Sequence, residues 1–365
     1  MSKIIFNEIQ IKLLESNPNV DHVSERSISY TPDFKIRAVK ENFNGKGPAQ
    51  IFIEQGFDLQ VIGSAISVNP VDTKVRAPKE RVEEVPKILG WDVAGVVEET
   101  GPDCSLFRPG DEIFYAGSIA RQGGNSEYHL VDERIVGRKP VSLRFVEAAA
   151  LPLTSITAWE ALFTRMSISQ DPGPNKGKAL LIIGAAGGVG SIATQLAKQA
   201  GLTVIGTASR SETVSWVKSM GADYTINHHD PLLPQLQAIG FTNVPYIFCL
   251  NALEKHWAGI TEAISPQGVV CAIDDPASPL DLKLLKQKSV TFVWEFMFTR
   301  PVYETDDMIE QHLLLNRIAD AVDHQKLKTT LAEVLGPISA ENLRLALKLL
   351  ESNRTIGKIV LEGFV

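Results

Sequence analysis

Between residues 178 and 297 the sequence alternates short apolar runs with longer stretches in which apolar residues recur at helical spacing. The runs KALLIIGA, LTVIGTAS, DYTIN, PYIFCLN, GVVCAID and VTFVWEF are each short enough for a buried strand. Between the first two runs, the apolar side chains follow one stripe of a helix: Ile192, Ala193, Leu196, Ala197 and Ala200. Strands that alternate with helices are typical of a doubly wound parallel sheet, so we predict an α/β fold here.

The segment from residue 57 to 150 has a different pattern. Its short apolar pieces, such as DLQVIGSAISV, DVAGVVEET and EYHLV, lack a helical period and indicate a mostly β domain. After residue 300, apolar stripes predict two helices, one carrying Leu315, Ile318, Ala319 and Val322 and the other Leu343, Ala346, Leu347 and Leu350. The closing GKIVLEGFV is a strand pattern, which suggests that the C-terminal segment returns to complete the first domain.

Composition narrows the class of protein. The 365 residues allow two domains, and 44% hydrophobic with 22% charged residues is ordinary for a globular protein. A net charge of -7 without long runs of like charge argues against a nucleic acid partner. Three widely spaced cysteines, Cys104, Cys249 and Cys271, suggest neither a disulfide framework nor a zinc knuckle. No signal-peptide pattern or run of 18 apolar residues occurs, so we expect a cytoplasmic protein without a membrane segment.

The most specific motif is the glycine loop in LLIIGAAGGVGSIATQLAKQAG, which joins a predicted strand to a predicted helix. Backbone N–H groups at such a helix start bind a pyrophosphate, so this loop is a candidate dinucleotide site. Its candidate residues are Ala186, Gly187, Gly188, Val189 and Gly190. The alternative is a plain glycine-rich turn, whereas a P-loop is excluded because no Gly-Lys-Ser/Thr follows.

The end of the second strand bears on the choice of cofactor. An NAD-binding site normally carries an acid there, but this sequence has Thr207, Ala208, Ser209 and Arg210. The Ser209 hydroxyl and the Arg210 guanidinium suit a 2′-phosphate, which favours NADPH. The alternative is that Ser209 or Ser211 caps the next helix while Arg210 lies in solvent.

Seven ordered phrases resemble one family: ISVNPVDTKVR, GWDVAGVVEETG, FRPGDEIFYAG, AAALPLTSITAWEAL, the glycine loop, WEFMFTR and IGKIVLEGF. They are similar to the medium-chain dehydrogenase/reductase superfamily, in particular its quinone oxidoreductase-like branch and the zinc-type alcohol dehydrogenase-like proteins. The resemblance covers about residues 57–365. It implies a GroES-like catalytic domain of residues 1–152 and 296–365, with the role of residues 1–55 open, a Rossmann NADP-binding domain of residues 153–295, and a homodimer.

The resemblance also tests whether a zinc site is present. Where zinc-dependent members carry Cys-His, this chain has Asn69-Pro70, and where they carry Gly-His-Glu it has Gly90-Trp91-Asp92. Catalytic zinc needs three protein ligands of Cys, His or carboxylate type, so we expect no metal. The run His228-His229-Asp230 is a poor metal site because adjacent side chains diverge, and the family position of His228 implies a place near the adenine-ribose end of the cofactor.

Without a Lewis acid, reduction of an activated small molecule is easier than oxidation of a simple alcohol. We therefore expect hydride transfer from NADPH to a quinone or an α,β-unsaturated carbonyl, which delocalises the resulting negative charge. By family position, Asn69 is the candidate hydrogen-bond donor to that acceptor, with an Asn-Pro turn as its alternative role. Asp72 is grouped with Asn69 as a candidate catalytic residue, although a structural role is favoured for it.

Further cofactor contacts are implied by position. LPLTSITAWEAL resembles the hinge helix of the family, whose Thr154 or Thr157 approaches the nicotinamide, and helix capping by Thr154 is the competing role. Asn251 and Asp274 follow the fourth and fifth strands, where open α/β sheets bind ligands, unless each simply ends its strand. A run of large apolar side chains is either a substrate wall or part of the core or of a dimer contact: Trp294, Phe296, Met297 and Phe298.

Two other functions stay open from the sequence. One is a zinc-dependent alcohol dehydrogenase, which metal content would distinguish. The other is a non-catalytic NADPH-binding protein, which would bind the cofactor without turnover.

Overall fold

The structure is a computed structural model that describes residues 20–24, 27–31, 59–78 and 86–364. Most of residues 1–55, whose role the sequence leaves open, lies outside the described residues. The strands are β1 (Val20–Ser24), β2 (Ser27–Tyr30), β3 (Leu59–Ser67), β4 (Val93–Glu99), β5 (Glu112–Tyr115), β6 (Tyr128–Val131), β7 (Val136–Arg138), β8 (Ala179–Ile183), β9 (Thr203–Thr207), β10 (Tyr224–Ile226), β11 (Val244–Cys249), β12 (Ile264–Ala272), β13 (Thr291–Trp294), β14 (Leu331–Val334) and β15 (Lys358–Glu362).

The α-helices are short to medium in length. They are α1 (Pro70–Arg76), α2 (Phe145–Ala148), α3 (Pro152–Trp159), α4 (Gly188–Gln199), α5 (Ser211–Ser219), α6 (Leu232–Ala238), α7 (Leu253–Ala263), α8 (Lys283–Lys286), α9 (Thr299–Tyr303), α10 (Glu310–Asp323) and α11 (Ala340–Glu351). Helix α3 continues into a wider π-helical turn, Glu160–Arg165, and 3₁₀ turns lie at Glu133–Ile135 and Gly173–Asn175. Within the described residues, no helix combines the length and apolarity needed to cross a bilayer.

The predicted parallel sheet is confirmed. Its order is β10-β9-β8-β11-β12-β13, and each strand runs parallel to its neighbours. This is the Rossmann order 3-2-1-4-5-6, in which the strand order reverses beside the first strand. In such sheets, ligands bind outside the carboxyl ends of the strands at the point where the order reverses. Here the order reverses between β8 and β11.

Both faces of this sheet are covered, as a doubly wound fold requires. Alternate residues of β8 point to opposite faces, so Leu180 and Ile182 lie in one apolar core while Leu181 and Ile183 lie in another. The first core includes the apolar stripe of α4, namely Ile192, Ala193, Leu196 and Ala197. The second includes the inner face of α7, namely Leu253, Trp257, Ile260 and Ala263. Fully burying one such large apolar side chain stabilises the fold by about 1.5–3 kcal/mol.

A second sheet is mixed. The C-terminal strand β15 pairs antiparallel with β3, with Val360 opposite Ser67 and Leu361 opposite Ile66, and β14 lies parallel to β15. Strands β5 and β7 pair antiparallel. The C-terminal segment therefore contributes β15 to the same sheet as β3.

The chain divides into two compact units. One contains the described residues up to Ile62 together with Val96–Asp111 and Tyr128–Glu133. In this unit, β1 pairs with β2, and the start of β3 pairs with β6. The other contains Gly63–Gly95, Glu112–Glu127 and Arg134–Val365. The boundaries at residues 152 and 295 that the resemblance implies stay a prediction.

Helix α1 is one of the short helices that the hydrophobic pattern did not predict. Asn69 precedes it in an extended conformation, Pro70 occupies its first position and Asp72 its third. These are residue types favoured at a helix start, and the Asp72 carboxylate accepts the Asn69 backbone N–H at 2.7 Å. The helix is too short to show apolar periodicity, so its capping residues were the only available signal.

Candidate active site

The glycine loop lies between β8 and α4, as predicted. Gly184 has a φ of +88°, a conformation that L side chains rarely adopt. A Cβ on Gly190 would lie 2.6 Å from the Ala185 Cα, so only glycine lets the helix start this close to the strand. Gly187 precedes α4 in an extended conformation, and the first backbone N–H groups of the helix have no partner within it. The loop therefore has the shape and the donors that a pyrophosphate requires.

Helix α3 approaches the same loop. A Cβ on Gly188 would lie 2.8 Å from Thr154 Cγ2, so the Thr154 side chain touches the start of α4. The hydroxyls of Thr154 and Thr157 donate to the carbonyls of Leu151 and Leu153 at 3.0 and 2.8 Å. Because α3 begins at Pro152 after Leu151, the alternative that Thr154 is the helix cap is wrong.

The end of β9 carries no acid. The Thr207 hydroxyl accepts the Gly184 backbone N–H at 3.0 Å, Ser209 is exposed, and Arg210 immediately precedes α5. Neither Ser209 nor Ser211 is the residue before the helix, so the capping alternative for these serines is wrong. The Arg210 guanidinium does not extend freely into solvent, since it donates to the Arg354 carbonyl at 2.8 Å.

Arg210 is one of the residues that line a groove of about 820 Å³. Trp216 of α5 and Arg354, which precedes β15, line the same groove. Arg354 is a basic residue beside Arg210 that the sequence did not single out, because it belongs to a C-terminal segment with no local motif.

Asn251 and Asp274 lie at the carboxyl ends of β11 and β12, but in different surroundings. Asn251 is brought to the glycine loop, since its Oδ1 lies 2.9 Å from the position of a Cβ on Gly184. Asp274 instead accepts the Ala252 backbone N–H at 2.8 Å and pairs with Lys74 of α1 at 3.3 Å. Both Asp274 oxygens thus have protein partners.

His228 belongs to a group of histidines after β10. Its ring centroid lies 4.3 Å from that of His229 and 6.3 Å from that of His256. Burial, with the two neighbouring rings, holds the pKa of His228 below its usual value, so the ring is neutral at pH 7. These ring contacts do not test the predicted place of His228 near the cofactor ribose, which stays a prediction.

Asn69 and Asp72 lie together at the start of α1, and both are buried. The two oxygens of Asp72 accept backbone N–H groups, from Asn69 at 2.7 Å and from Gly90 at 2.9 Å. Burial raises the pKa of Asp72 to about 6, against the opposing effect of these hydrogen bonds and of the nearby Lys358 charge. Asp72 thus holds together the two segments that carry the motif residues.

Asp92 is a site residue that belongs to a sequence motif, but the sequence alone assigned it no role. It is fully buried, and its Oδ1 accepts the Leu153 backbone N–H at 2.7 Å, which satisfies a donor at the start of α3. Its Oδ2 accepts the Ser67 hydroxyl at 3.1 Å and the Asn69 side-chain amide at 2.8 Å. Burial raises the pKa of Asp92, and the Lys358 ammonium opposes this rise.

Lys358, the first residue of β15, completes the network. Its ammonium donates to the Val68 carbonyl at 2.8 Å and to Asn69 Oδ1, and pairs with Asp92 Oδ2 at 3.0 Å. Burial lowers the pKa of Lys358, and the Asp92 carboxylate opposes this fall. The sequence did offer a signal for this role of Lys358. A lysine at the start of the apolar strand run KIVL is expected to be buried, and a buried charge needs a partner. The donor role predicted for Asn69 stays a prediction, since both ends of its amide are engaged within the protein.

The residues at these positions do not fit a catalytic zinc ion. Asn69 supplies an amide, and the Trp91 ring nitrogen is a donor that bonds to the Ser118 carbonyl at 3.1 Å. Asp92 is the one residue of suitable type among the three motif positions, and the Lys358 ammonium beside it would repel a divalent cation. Across the described ranges, no group of three or more His, Cys, Asp or Glu side chains could hold a metal ion.

The four aromatic and apolar residues of the WEFMF segment divide between surface and core. Met297 and Phe298 are buried, and the Phe298 ring meets the Trp91 ring edge to face at 6.4 Å. Trp294 and Phe296 are about half exposed, at 48% and 49%. The segment is therefore not one continuous buried wall.

Comparisons with known families match both parts of the chain. The family model of the alcohol dehydrogenase GroES-like domain matches residues 57–141, and that of the zinc-binding dehydrogenases matches residues 188–311. A solved structure from Rhizobium etli CFN 42, provisionally described as a zinc-dependent alcohol dehydrogenase, is 52% identical with a TM-score of 0.80, covering 85% of this chain and 90% of that chain. A quinone oxidoreductase structure from Pseudomonas syringae is 27% identical with a TM-score of 0.69, covering 83% and 90%.

Curated relatives agree with this placement. A zinc-type alcohol dehydrogenase-like protein of Staphylococcus aureus is 47% identical over 304 residues, which are 83% of this chain and 90% of the relative. The mitochondrial NAD(P)H oxidoreductase RTN4IP1 of Mus musculus is 32% identical over 299 residues, 72% of each chain. The 2-methylene-furan-3-one reductase of Solanum lycopersicum is 38% identical over 231 residues, 60% of this chain and 56% of the relative. The predicted GroES-like and Rossmann architecture is confirmed, and the chain belongs to the medium-chain dehydrogenase/reductase superfamily of oxidoreductases.

Proposed function

We propose that the protein is an NADPH-dependent oxidoreductase that reduces a quinone or an α,β-unsaturated carbonyl without a catalytic zinc ion. The observation that carries this proposal is the buried Lys358 ammonium between Asn69 and Asp92. At the positions where zinc-dependent members hold their metal ligands, this chain has an amide, an indole and a carboxylate that is already paired with a cation.

The glycine loop supports dinucleotide binding. Gly187, Gly188 and the first turn of α4, with the flanking Ala186, Val189 and Gly190, would hold the pyrophosphate through backbone N–H groups. Thr154, Thr157 and Asn251 are proposed to hold the nicotinamide half of the cofactor, since Thr154 and Asn251 lie against the loop. His228 is proposed to lie near the adenine-ribose end of the cofactor. Asp274, which follows β12, is proposed as a further cofactor contact.

The 2′-phosphate is proposed to bind at Ser209 and Arg210. The absence of an acid at the end of β9 removes the usual partner of the NAD ribose hydroxyls. Arg210 supplies a cation there that can form charge-assisted hydrogen bonds with a phosphate.

The acceptor follows from what the site residues can do. Bound NADPH would supply the hydride. With no metal to stabilise an alkoxide, the protein's own contribution is to orient the acceptor, exclude water and offer hydrogen bonds. The proposed donor is the Asn69 amide, through the N–H that makes only a long contact of 3.5 Å to the Trp91 carbonyl. Quinones and enones suit such a site because they delocalise negative charge themselves. The tomato relative is named for a 2-methylene-furan-3-one, which is an α,β-unsaturated ketone, and the Pseudomonas neighbour for a quinone.

The decisive experiment is steady-state oxidation of NADPH over a panel of quinones, enones, aldehydes and alcohols, with zinc measured on the same preparation. We expect turnover with quinones or enones, little oxidation of ethanol-like alcohols by NADP⁺, and far less than one zinc per chain. Chelator-sensitive activity with stoichiometric zinc would instead establish the second candidate, a zinc-dependent alcohol dehydrogenase, which the names of the Rhizobium and Staphylococcus relatives favour. Tight NADPH binding without any turnover would identify a non-catalytic cofactor-binding protein.

Two properties of the whole protein complete the proposal. A homodimer is supported by the half-exposed Trp294 and Phe296 beside the edge strand β13. A cytoplasmic location is supported by the three cysteines, all of which are free.

A further inference from the structure

Lys358 is a fully satisfied buried cation. Its three ammonium protons meet three acceptors: the Val68 carbonyl, the Asn69 amide oxygen and the Asp92 carboxylate. The residue is 4% exposed, so each of these bonds lies away from water. A buried ion pair is costly to maintain and is weak evidence of a purely stabilising role, which raises the question of what this pair does.

The pair fixes the orientation of the Asn69 amide. Asn69 Oδ1 faces the Lys358 ammonium, and Asn69 Nδ2 faces Asp92 Oδ2 at 2.8 Å. A rotation of the amide by 180° would place its NH₂ group against the ammonium and its oxygen against the carboxylate. The two opposite charges therefore permit one orientation of the amide and oppose the other.

The same lysine touches the glycine loop. A Cβ on Gly188 would lie 2.7 Å from Lys358 Cδ, so the aliphatic stem packs against the first turn of α4. The preceding residue, Gly357, donates its backbone N–H to the Ala186 carbonyl at 2.9 Å. The start of β15 thus joins the cofactor loop to the segment that carries Asn69.

We propose that Lys358, together with Asp92, is a positioning residue that orients the Asn69 amide relative to the glycine loop, and that this fixed cation replaces the metal around which zinc-dependent relatives organise the same positions. The expected effect on turnover rests on the proposed function. The orientation of the Asn69 amide by Lys358 and Asp92 does not depend on it. In this proposal Lys358 acts through Asn69 and not directly on the acceptor.

The test compares three variants with a matched control. Lys358→Met keeps much of the stem and removes the charge, Asp92→Asn removes the opposite charge, and the double variant removes both. Lys139→Met is the control, since Lys139 is a similarly buried lysine that bonds to the Pro140 carbonyl at 3.0 Å and pairs with Glu112 at 3.1 Å outside the site. For each variant, thermal stability, NADPH affinity and kcat with 1,4-benzoquinone are measured.

The expected results separate positioning from stability. Lys358→Met should lower kcat by about 10- to 100-fold, the size of effect that a small misplacement of a site group produces. Each single variant leaves one buried charge unpaired and should lower the melting temperature, whereas the double variant should recover stability and not kcat. Lys139→Met should lose stability while keeping the kcat of the wild type. If kcat returns with stability in the double variant, Lys358 is only structural and the proposal is wrong.

A second readout is independent of activity. In protein labelled with ¹⁵N-asparagine, the Asn69 side-chain amide signal is assigned from its loss in Asn69→Asp. It should shift in Lys358→Met and in the double variant but stay in place in Lys139→Met. An unshifted signal in Lys358→Met would overturn the proposal, whether or not the wild type reduces quinones. Failure of the wild type on the whole acceptor panel would overturn only the proposed function.

Discussion

Arg210, which follows strand β9, is the residue proposed to recognise the 2′-phosphate of the cofactor. Its guanidinium donates to the Arg354 carbonyl and lies 3.4 Å from the Glu212 carboxylate, so its position in the groove lining is fixed by protein partners. These partners leave further N–H donors of the five in a guanidinium for a phosphate. The residue is therefore a candidate reader of the 2′-phosphate whose removal should not disturb the parallel sheet.

Arg210→Ala should weaken NADPH binding by about 1.5–3 kcal/mol, roughly 10- to 150-fold, because one charge-assisted hydrogen bond to the phosphate is lost. NADH, which has no 2′-phosphate, should lose much less. Dissociation constants from fluorescence titration with both cofactors measure the difference. Arg144→Ala, a change at an exposed arginine, is the control and should alter neither value. Equal losses for the two cofactors would show that Arg210 does not read the phosphate.

At the scale of elements, helix α3 is stabilised at both ends by residues distant in sequence. Its start is capped by Asp92, and its continuation, the π-helical turn Glu160–Arg165, places two charged side chains beside Glu295 at the end of β13. Glu295 accepts from Arg165 Nε at 2.8 Å, and Glu160 pairs with Arg300. Burial, reinforced by the Glu160 charge, raises the pKa of Glu295 to about 8. Burial also raises the pKa of Glu160, so we infer that this pair of buried carboxyl groups keeps one proton at neutral pH.

This shared proton predicts a pH dependence of stability. The folded protein keeps the proton up to about pH 8, whereas an unfolded Glu releases it near its ordinary pKa of 4.5. Between these values the folded state binds more protons, so the free energy of unfolding should fall as pH rises, by about 1.4 kcal/mol per pH unit at most for one proton. Its contribution is fully present below pH 4.5 and is lost as pH rises through about 8.

Urea denaturation of the wild type and Glu295→Gln at pH 6, 7 and 8 measures this effect. The amide donates a hydrogen bond at every pH, so the variant should lose the slope between pH 6 and 8. Glu341→Gln, at an exposed position in the first turn of α11, should keep the wild-type slope. Parallel pH profiles for wild type and Glu295→Gln would contradict the shared-proton interpretation.

At the scale of the whole molecule, the edge of the parallel sheet is a candidate contact between two copies. Strand β13 pairs with β12 on one side, and within the described residues no strand pairs with its other side. An open edge flanked by half-exposed aromatic rings, here Trp294 and Phe296, readily pairs with another strand. Two-fold pairing of this edge with itself would cover both rings.

Light scattering after size exclusion should therefore give the mass of two chains. Phe296→Glu should shift the population towards one chain, because two introduced charges would face each other across the two-fold axis. Val141→Glu, at an 89% exposed position outside β13 and the WEFMF segment, should keep the wild-type mass. A monomeric wild type would refute the dimer, and an unchanged mass in Phe296→Glu would place the contact elsewhere.

The sequence by itself determined the features that depend on local patterning. The parallel sheet was predicted from apolar runs that alternate with helical stripes, because the periodicity of a strand or a helix can be recognised within a short window of sequence. The glycine loop was found because its residues are contiguous, and Gly184 and Gly190 are required by local backbone geometry. The missing zinc ligands were visible because they belong to short motifs.

Only the tertiary structure decided how charges are paired. Lys358 lies 289 positions from Asn69, and Asp274 lies 200 positions from Lys74, so no periodicity connects either pair. Arg210 likewise finds a hydrogen-bond partner in Arg354, 144 positions away, while its binding of a 2′-phosphate stays a prediction. Burial makes an unpaired charge costly, but it does not specify which distant residue supplies the partner. Which residues pair depends on how the fold brings β15 to the start of α1. This is why Lys358, a lysine in an apolar strand pattern, lies between Asn69 and Asp92 in the candidate site.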